Sequence, residues 1–253
     1  MQLGTKQIIS SRALISVECV KVMKMILTGC GCIDSNLGGG ISPGTVTAVY
    51  GEPETGKTTL AMQCAVNCAM QNLKTLFVDC DNTFYAKRLS QLASGKFDEV
   101  AELVFLVKPK DFKEQTAVVD RLQDYTAKNF GLVVFDTFTS LYRAEVAEVS
   151  GKAYSLNREL NRQLAIVAQT ARIQRIPVIV TSQVYSVFND ASVSVAPVAT
   201  RVLKFWSDAI IAMKPTENSQ VIEAVLEKAP RMGHEATCPL RIEESGIHDY
   251  SLH

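Results

Sequence analysis

Gly51-Glu-Pro-Glu-Thr-Gly56-Lys57-Thr58 is the stretch of this chain whose residue types and spacing speak most directly of chemistry. It fills every fixed position of G-x-x-x-x-G-K-[ST], a loop whose glycines let backbone N–H groups turn inward around phosphate oxygens. In such a loop Lys57 reaches the outer phosphates and the Thr58 hydroxyl coordinates magnesium, while the N-terminus of the following helix adds partial positive charge. Gly51, Glu52, Pro53, Glu54, Thr55, Gly56, Lys57, Thr58 and Thr59 are therefore the candidate contacts to a nucleotide, read as ATP with Mg2+. The bland alternative is a chance match in a structural loop. The flanks argue against it, because an apolar run (Val46–Tyr50) precedes the loop and a helical pattern follows it.

Two further segments end in carboxylates. Leu132-Val-Val-Phe-Asp136 is four apolar residues closed by an aspartate. That is the pattern of a strand buried on both faces that delivers a carboxylate beside the metal at the C-terminal edge of a sheet. Buried strands also end in Asp as a turn or helix cap, so Asp136 gains its meaning from the phosphate loop. Leu76-Phe-Val-Asp79-Cys-Asp81 brings two more carboxylates to the same edge. Hydrolysis needs a base or orienting group for the attacking water, and Asp81 is the candidate. Asp79 has an equal claim to be a cap of the next turn.

The elements that must carry these residues alternate. Strands are expected at Thr45–Tyr50, Lys74–Asp79, Leu103–Val107, Leu132–Phe135 and Pro177–Thr181, and helices at Thr58–Gln71, Tyr85–Ala93, Phe112–Lys128 and Ser155–Gln174. This order predicts an α/β fold with a mainly parallel central sheet and helices on both faces. Ala209–Met213, Val221–Glu227 and Pro239–Ile242 read as antiparallel edge strands. Tyr185–Thr200, polar with small residues and a proline, reads as a loop. Residues 1–24 carry no strong element signal and read as an extension outside the core, with Met23 and Met25 as alternative translation starts. The remainder, 25–253, reads as one domain.

Composition sets outer bounds. The 253 residues are 47% hydrophobic and 21% charged, with zero formal net charge, so attraction of bulk charge to nucleic acid is not what holds this chain to a partner. No apolar run spans a bilayer; Ile8–Leu27 comes nearest, but Arg12, Glu18, Lys21 and Lys24 interrupt it. The seven cysteines show no paired CxxC or Cys–His spacing. They read as reduced, partly buried thiols of a cytoplasmic protein.

In order, these motifs resemble the RecA superfamily, in its archaeal branch with RadA and closest to the RadB group. Thr28-Gly29 through Leu37-Gly-Gly-Gly40 resembles that family's approach to its core. Asp79-Cys-Asp81-Asn-Thr83-Phe84 with Arg88 resembles its D-T-E-G-T-F-R segment. Leu132–Ser140 with Tyr142-Arg143-Ala144-Glu145, the Leu156–Leu164 segment, and Ile176-Pro-Val-Ile-Val-Thr-Ser-Gln183-Val184-Tyr185 are the most specific parts. The resemblance implies a RecA-like ATPase core over residues 28–248. It implies that Gln183 senses the terminal phosphate and links it to the DNA-binding loop, that Arg88 lies over the adenine, and that residues 143–155 and 184–204 contact single-stranded DNA. There are departures. Asp81 stands where active recombinases carry glutamate, one methylene longer, so slow hydrolysis is expected. No Phe-x-x-Ala, the family's polymerisation motif, is expected anywhere in the chain, so a filament is not expected, although a homo-oligomer is open. Ala199-Thr200 replaces a glycine pair and Phe205 a histidine. Lys228 replaces an aspartate that caps the ATP of a neighbouring subunit, and could place its charge against that γ-phosphate in trans or simply lie on an edge turn.

Independent support for DNA is a basic stripe. Arg158, Arg162 and Arg172 fall on one face of the 155–174 helix, opposite Leu156, Leu160, Leu164, Val167 and Ala171. Arg143, Lys152, Arg201 and Lys204 complete the candidate DNA contacts. A solvated face of a packed helix explains the same stripe. The expected function is a DNA-regulated ATPase of recombinational repair acting on single-stranded or branched DNA. The alternatives are an ATP-gated adaptor for a recombinase or junction nuclease, and a KaiC-like signalling ATPase, which the absence of paired glutamates at 80–81 disfavours.

Overall fold

A computed structural model describes residues 24–126, 129–148, 151, 153–189, 192–197, 199–230 and 233–250. The expected extension, apart from Lys24, and the candidate DNA contact Lys152 lie outside the described residues.

Ile26 forms an antiparallel bridge with Ile41. The elements then run α1 (Gly31–Asn36), β1 (Val46–Gly51), α2 (Lys57–Ala69), β2 (Lys74–Asp79), α3 (Ala86–Leu92), α4 (Phe97–Ala101), β3 (Val104–Val107), α5 (Phe112–Asp120), α6 (Leu122–Tyr125), β4 (Phe130–Asp136), α7 (Ser140–Glu148), α8 (Ala153–Gln174), β5 (Val178–Ser182), β6 (Val184–Asn189), β7 (Ser192–Pro197), α9 (Thr200–Trp206), β8 (Ala209–Pro215), β9 (Val221–Lys228), β10 (Ala236–Glu243) and β11 (Gly246–Asp249). A nine-stranded sheet has the order β11-β10-β9-β8-β1-β5-β4-β2-β3. From β8 to β3 every neighbouring pair is parallel; β9, β10 and β11 extend it antiparallel. The predicted fold class is borne out.

The buried strands explain the run of apolar residues before Asp136. In β4, Leu132 and Val134 pack in one core with α2, whereas Val133 and Phe135 pack in another with α8. A strand with helices on both faces alternates its side chains between two dry layers. On α8, Leu160, Leu164, Val167, Ala168 and Ala171 supply the buried stripe. At α5 the Asp111 carboxylate accepts the N–H of Glu114 at 2.7 Å, and the Glu114 carboxylate reaches back to the N–H of Lys110 at 2.9 Å, a reciprocal cap that fixes where the helix starts.

Five expectations are corrected. The single helix expected at Phe112–Lys128 breaks at Arg121 (φ −102°, ψ 12°); Gln174 of α8 donates to the Gln123 carbonyl at 3.0 Å and bonds to the Thr126 hydroxyl, so tertiary bonds compete with helical ones there. Within the loop expected at 185–200, β6 and β7 form an antiparallel hairpin with Val184 opposite Pro197, in keeping with the strand propensity of its valines and aromatics. Residues 143–148, expected as loop, belong to α7. Strand β8 is no edge element: it pairs parallel to β1 after the α9 crossover. Finally, Cys32 and Cys238 form a disulfide across 206 residues of sequence, joining α1 to β10; a pairing of that span leaves no local spacing to read. Cys30, Cys64, Cys68 and Cys80 are free and buried. Among the described residues no helix is long and apolar enough to cross a membrane.

Candidate functional site

The C-terminal ends of β1, β2, β4 and β5 line up, with Asp79 level with Asp136 and Tyr50 level with Ser182. Each strand thus delivers its polar terminus to one edge. β1 runs into the phosphate loop. A Cβ on Gly51 would stand 2.2 Å from the Met213 carbonyl oxygen of the adjacent β8, a separation no side chain tolerates. Gly56 has φ +84°, and a Cβ there would also press on Ile242 and Ile247 at 3.1 and 3.0 Å. The two glycines are therefore required by close approach and by backbone conformation, independently of any ligand. Inside the loop, the Thr55 hydroxyl and the Lys57 ammonium both donate to the Glu52 carbonyl, at 2.8 and 2.5 Å. Lys57 is buried, which lowers its pKa; Asp136, Asp81 and Glu52 pull in the opposite direction. A cleft of about 220 Å³ opens beside it, lined by Glu54, Gly56, Lys57, Thr58, Thr59 and Ile242.

Asp136 is 1% exposed. Its carboxylate accepts the Thr181 hydroxyl at 2.5 Å and the Thr83 hydroxyl at 3.5 Å. Burial raises its pKa, and hydrogen bonds from Thr181 and Thr58 counter the rise. The Thr58 hydroxyl thus lies on the Asp136 side of the loop, and two hard oxygen donors so placed suit a shared cation. Asp79 resolves toward the cap: its two oxygens accept the N–H groups of Thr83 (2.9 Å) and Phe84 (3.1 Å), and Lys108 pairs with it at 3.3 Å. Asp81 instead receives the Gln183 amide at 3.4 Å, and the same amide's oxygen accepts the Arg143 guanidinium. Lys57, Asp81, Asp136 and Gln183 therefore gather at one place.

Other expected site residues fall elsewhere. Arg88 donates to the carbonyls of Glu243 (2.9 Å) and Glu244 (2.7 Å) and to Gln91, clipping the β10–β11 turn. Arg162 is engaged by Glu159 at 2.7 Å and Asp120 at 2.8 Å, and Arg172 lies 3.9 Å from Asp208, so the basic stripe is largely the ion-paired face of a packed helix. Arg158 and Arg201 are exposed. Lys204 pairs with Glu227 at 3.5 Å, and Glu227 also accepts the Tyr50 hydroxyl at 2.5 Å. Lys228 donates to the Ser207 carbonyl at 2.5 Å, at the end of α9 within its own chain. Phe188-Asn-Asp-Ala191 does match Phe-x-x-Ala, but within the segment expected as the second loop, and its last two residues lie outside the described ones.

Sequence reasoning missed Thr181, Ile242 and Gln63. The carboxamide of Gln63, on α2, donates to the carbonyls of Thr28 (2.8 Å) and Ile247 (3.0 Å) and accepts the Ile247 N–H at 2.7 Å. Ile247 lies on the edge strand β11, so Gln63 satisfies the outward N–H and C=O that a further strand would take. Nothing in the local pattern signals this, since a Gln on a helix is ordinarily exposed.

The Rad51 family profile matches residues 20–250. The chain belongs to the Rad51 family. This family chain is 37% identical to the DNA repair and recombination protein RadB of Thermococcus kodakarensis, over 89% of this chain and 99% of the relative. It is 35% identical to that of Thermococcus gammatolerans, over 90% and 100%, and 27% identical to that of Methanosphaera stadtmanae, over 85% and 92%. Among solved structures, the RadB recombinase crystal structure superposes with a TM-score of 0.76 at 34% identity, covering 90% of this chain and all of that one. The expected likeness to RadB within the RecA superfamily is borne out.

Proposed function

We propose that this chain is an ATP-binding, DNA-regulated ATPase of DNA repair and homologous recombination. In this reading, residues 25–253 form one RecA-like domain and 1–24 an extension outside it. The observation that carries the reading is the convergence of Lys57, Asp81, Asp136 and Gln183 at the C-terminal edge of four parallel strands. The glycine-built cradle and the paired Thr58 and Asp136 oxygens fit a nucleoside triphosphate with magnesium. When bound, magnesium neutralises charge on the outer phosphates.

The chain's own residues divide the remaining work. Backbone N–H groups from Glu54 to Thr59 cradle phosphate oxygens, and the Lys57 ammonium leaves the Glu52 carbonyl for the outer phosphates. Thr58 and Asp136 would hold the metal. Asp81 takes the proton of the attacking water, and Gln183 orients it. Single-stranded or branched DNA is the nucleic acid in this reading, with Arg143 and Arg201 as its nearest basic contacts and a recombinase or junction-processing protein as a partner. The relatives named for repair and recombination support it.

The test is ATP turnover by the purified protein, with and without single-stranded DNA, beside Lys57→Ala. Turnover that rises with DNA and vanishes in the variant supports the reading. Tight Lys57-dependent ATP binding without turnover would replace it with a nucleotide-gated adaptor. Transfer of phosphate onto the protein itself would favour a signalling enzyme.

A further inference from the structure

Lys108 ties together two residues that flank the candidate base. It follows β3, an edge strand of the sheet, and the β2–β3 register sets Val107 beside Val78. Lys108 therefore comes level with Asp79 at the edge where the candidate site gathers. Its ammonium lies 3.3 Å from the Asp79 carboxylate and donates to the Asn82 carboxamide oxygen at 2.8 Å. An ammonium carries several N–H groups, so it serves both partners at once. Asp79 is buried and Lys108 exposed, so the bridge runs from the sheet to solvent.

The stretch between those two partners carries Asp81. Before it, the Cys80 N–H bonds to the Asp136 carbonyl at 2.7 Å. After it, the Thr83 and Phe84 N–H groups bond to the Asp79 carboxylate, and the Thr83 hydroxyl lies 3.5 Å from the Asp136 carboxylate. Asn82 has φ +58°, a left-handed conformation that asparagine adopts more readily than most residues but not freely. Lys108 holds that residue by its side chain.

We propose that Lys108 is a positioning residue for Asp81: by bridging Asp79 and Asn82, it fixes the crest of the turn that aims the Asp81 carboxylate at the phosphate edge. The consequence for turnover rests on the proposed reading of Asp81 as base; the tether itself does not. Aspartate is a short carboxylate, and a displacement of about 1 Å can cost roughly a hundredfold in rate, so its reach depends on how firmly its backbone is held. The phosphate loop keeps its own bonds, including those of Thr55 and Lys57 to the Glu52 carbonyl, so nucleotide affinity does not depend on the tether.

The bridge is tested with Lys108→Met, which removes it, with Asn82→Gly, which removes one end while easing the left-handed conformation, and with Lys108→Arg, which keeps a charged donor. ATP turnover is measured beside the dissociation constant of a non-hydrolysable triphosphate. Lys108→Met and Asn82→Gly are expected to lower kcat by roughly ten- to a hundredfold, with the dissociation constant within about twofold of the parent, and Lys108→Arg to recover most of the rate. A lysine with a merely structural role would move affinity and rate together. Parental turnover in Asn82→Gly, or a triphosphate affinity that falls as far as kcat, overturns the proposal.

A second arm needs no turnover. Cys80, buried and free between Asp79 and Asp81, reports local opening by its alkylation rate, read by mass spectrometry, and buried Cys64 on α2 reports global unfolding. Loss of an exposed charged bond is expected to speed labelling of Cys80 roughly three- to tenfold in Lys108→Met and Asn82→Gly, with Cys64 unchanged. Equal labelling of Cys80 in parent and variants overturns the tether. A parent without turnover removes the ATPase reading, and faster labelling of Cys80 alone then still sustains the tether.

Discussion

Replacing Gln63 by leucine should unfold this protein far more readily than its position on a helix suggests. Leucine keeps most of the buried volume but supplies no polar atom. Three backbone groups then lose a partner: the Thr28 carbonyl, the Ile247 carbonyl and the Ile247 N–H. The Ile247 carbonyl retains the Cys30 thiol at 3.4 Å, a weak donor, so its loss is partial. The Ile247 N–H faces away from β10 and, among the described residues, bonds only to Gln63. An orphaned buried donor costs about 1–3 kcal/mol, and each lost neutral carbonyl bond about 1 kcal/mol. The sum is on the order of 2–5 kcal/mol, a large fraction of the roughly 5–15 kcal/mol that stabilises a domain. Urea denaturation followed by tryptophan fluorescence and circular dichroism measures it, with Gln63→Glu as a companion that keeps the acceptor for Ile247. Function should suffer in parallel, because Ile247 and Ile242 pack against Gly56 of the phosphate loop, and nucleotide affinity should fall even below the unfolding midpoint. A loss under about 1 kcal/mol in Gln63→Leu would refute the claim that this carboxamide completes the edge of the sheet.

Asp81→Glu should raise ATP turnover, by as much as about a hundredfold if a reach short by one methylene limits the rate; an unchanged or lower kcat would show that Asp81 does not serve as base. Reduction of Cys32–Cys238, or Cys32→Ser, should lower stability by up to about 5 kcal/mol, the loop-closure value for so long a span, and a melting temperature indifferent to reductant would contradict it. In a Cys19→Ser background the native oxidised chain should resist alkylation at neutral pH: burial pushes the Cys30 thiol up to about 12 and the Cys68 thiol to about 11. Mass spectrometry after reduction should find label on Cys32 and Cys238 before any other cysteine.

Much of the candidate nucleotide site was legible in the sequence. Gly51, Gly56, Lys57 and Thr58 stand in one continuous segment, and the chemistry of phosphate binding constrains both their types and their spacing. Asp136 announced itself by the four apolar residues before it, because a strand covered on both faces must be apolar until it emerges. Local patterns of this kind also carried the fold class, the mainly parallel central sheet and the position of α8. The resemblance to the RecA superfamily rested on the same segments.

The tertiary structure decided what distance in sequence conceals. That Asp79 caps a turn while Asp81 meets Gln183 depends on how a loop closes after β2, and two aspartates one residue apart carry no sign of the difference. Arg88, Arg162, Lys204 and Lys228 are identical as letters to free basic residues. Their partners, the Glu243 and Glu244 carbonyls, Asp120, Glu227 and the Ser207 carbonyl, came from other elements. The same holds for Cys32 with Cys238 and for Gln63 with Ile247. A residue's own type sets what it can bond to; which partner it meets is set by the register of strands and the crossings of helices, and only the packed chain brings those together.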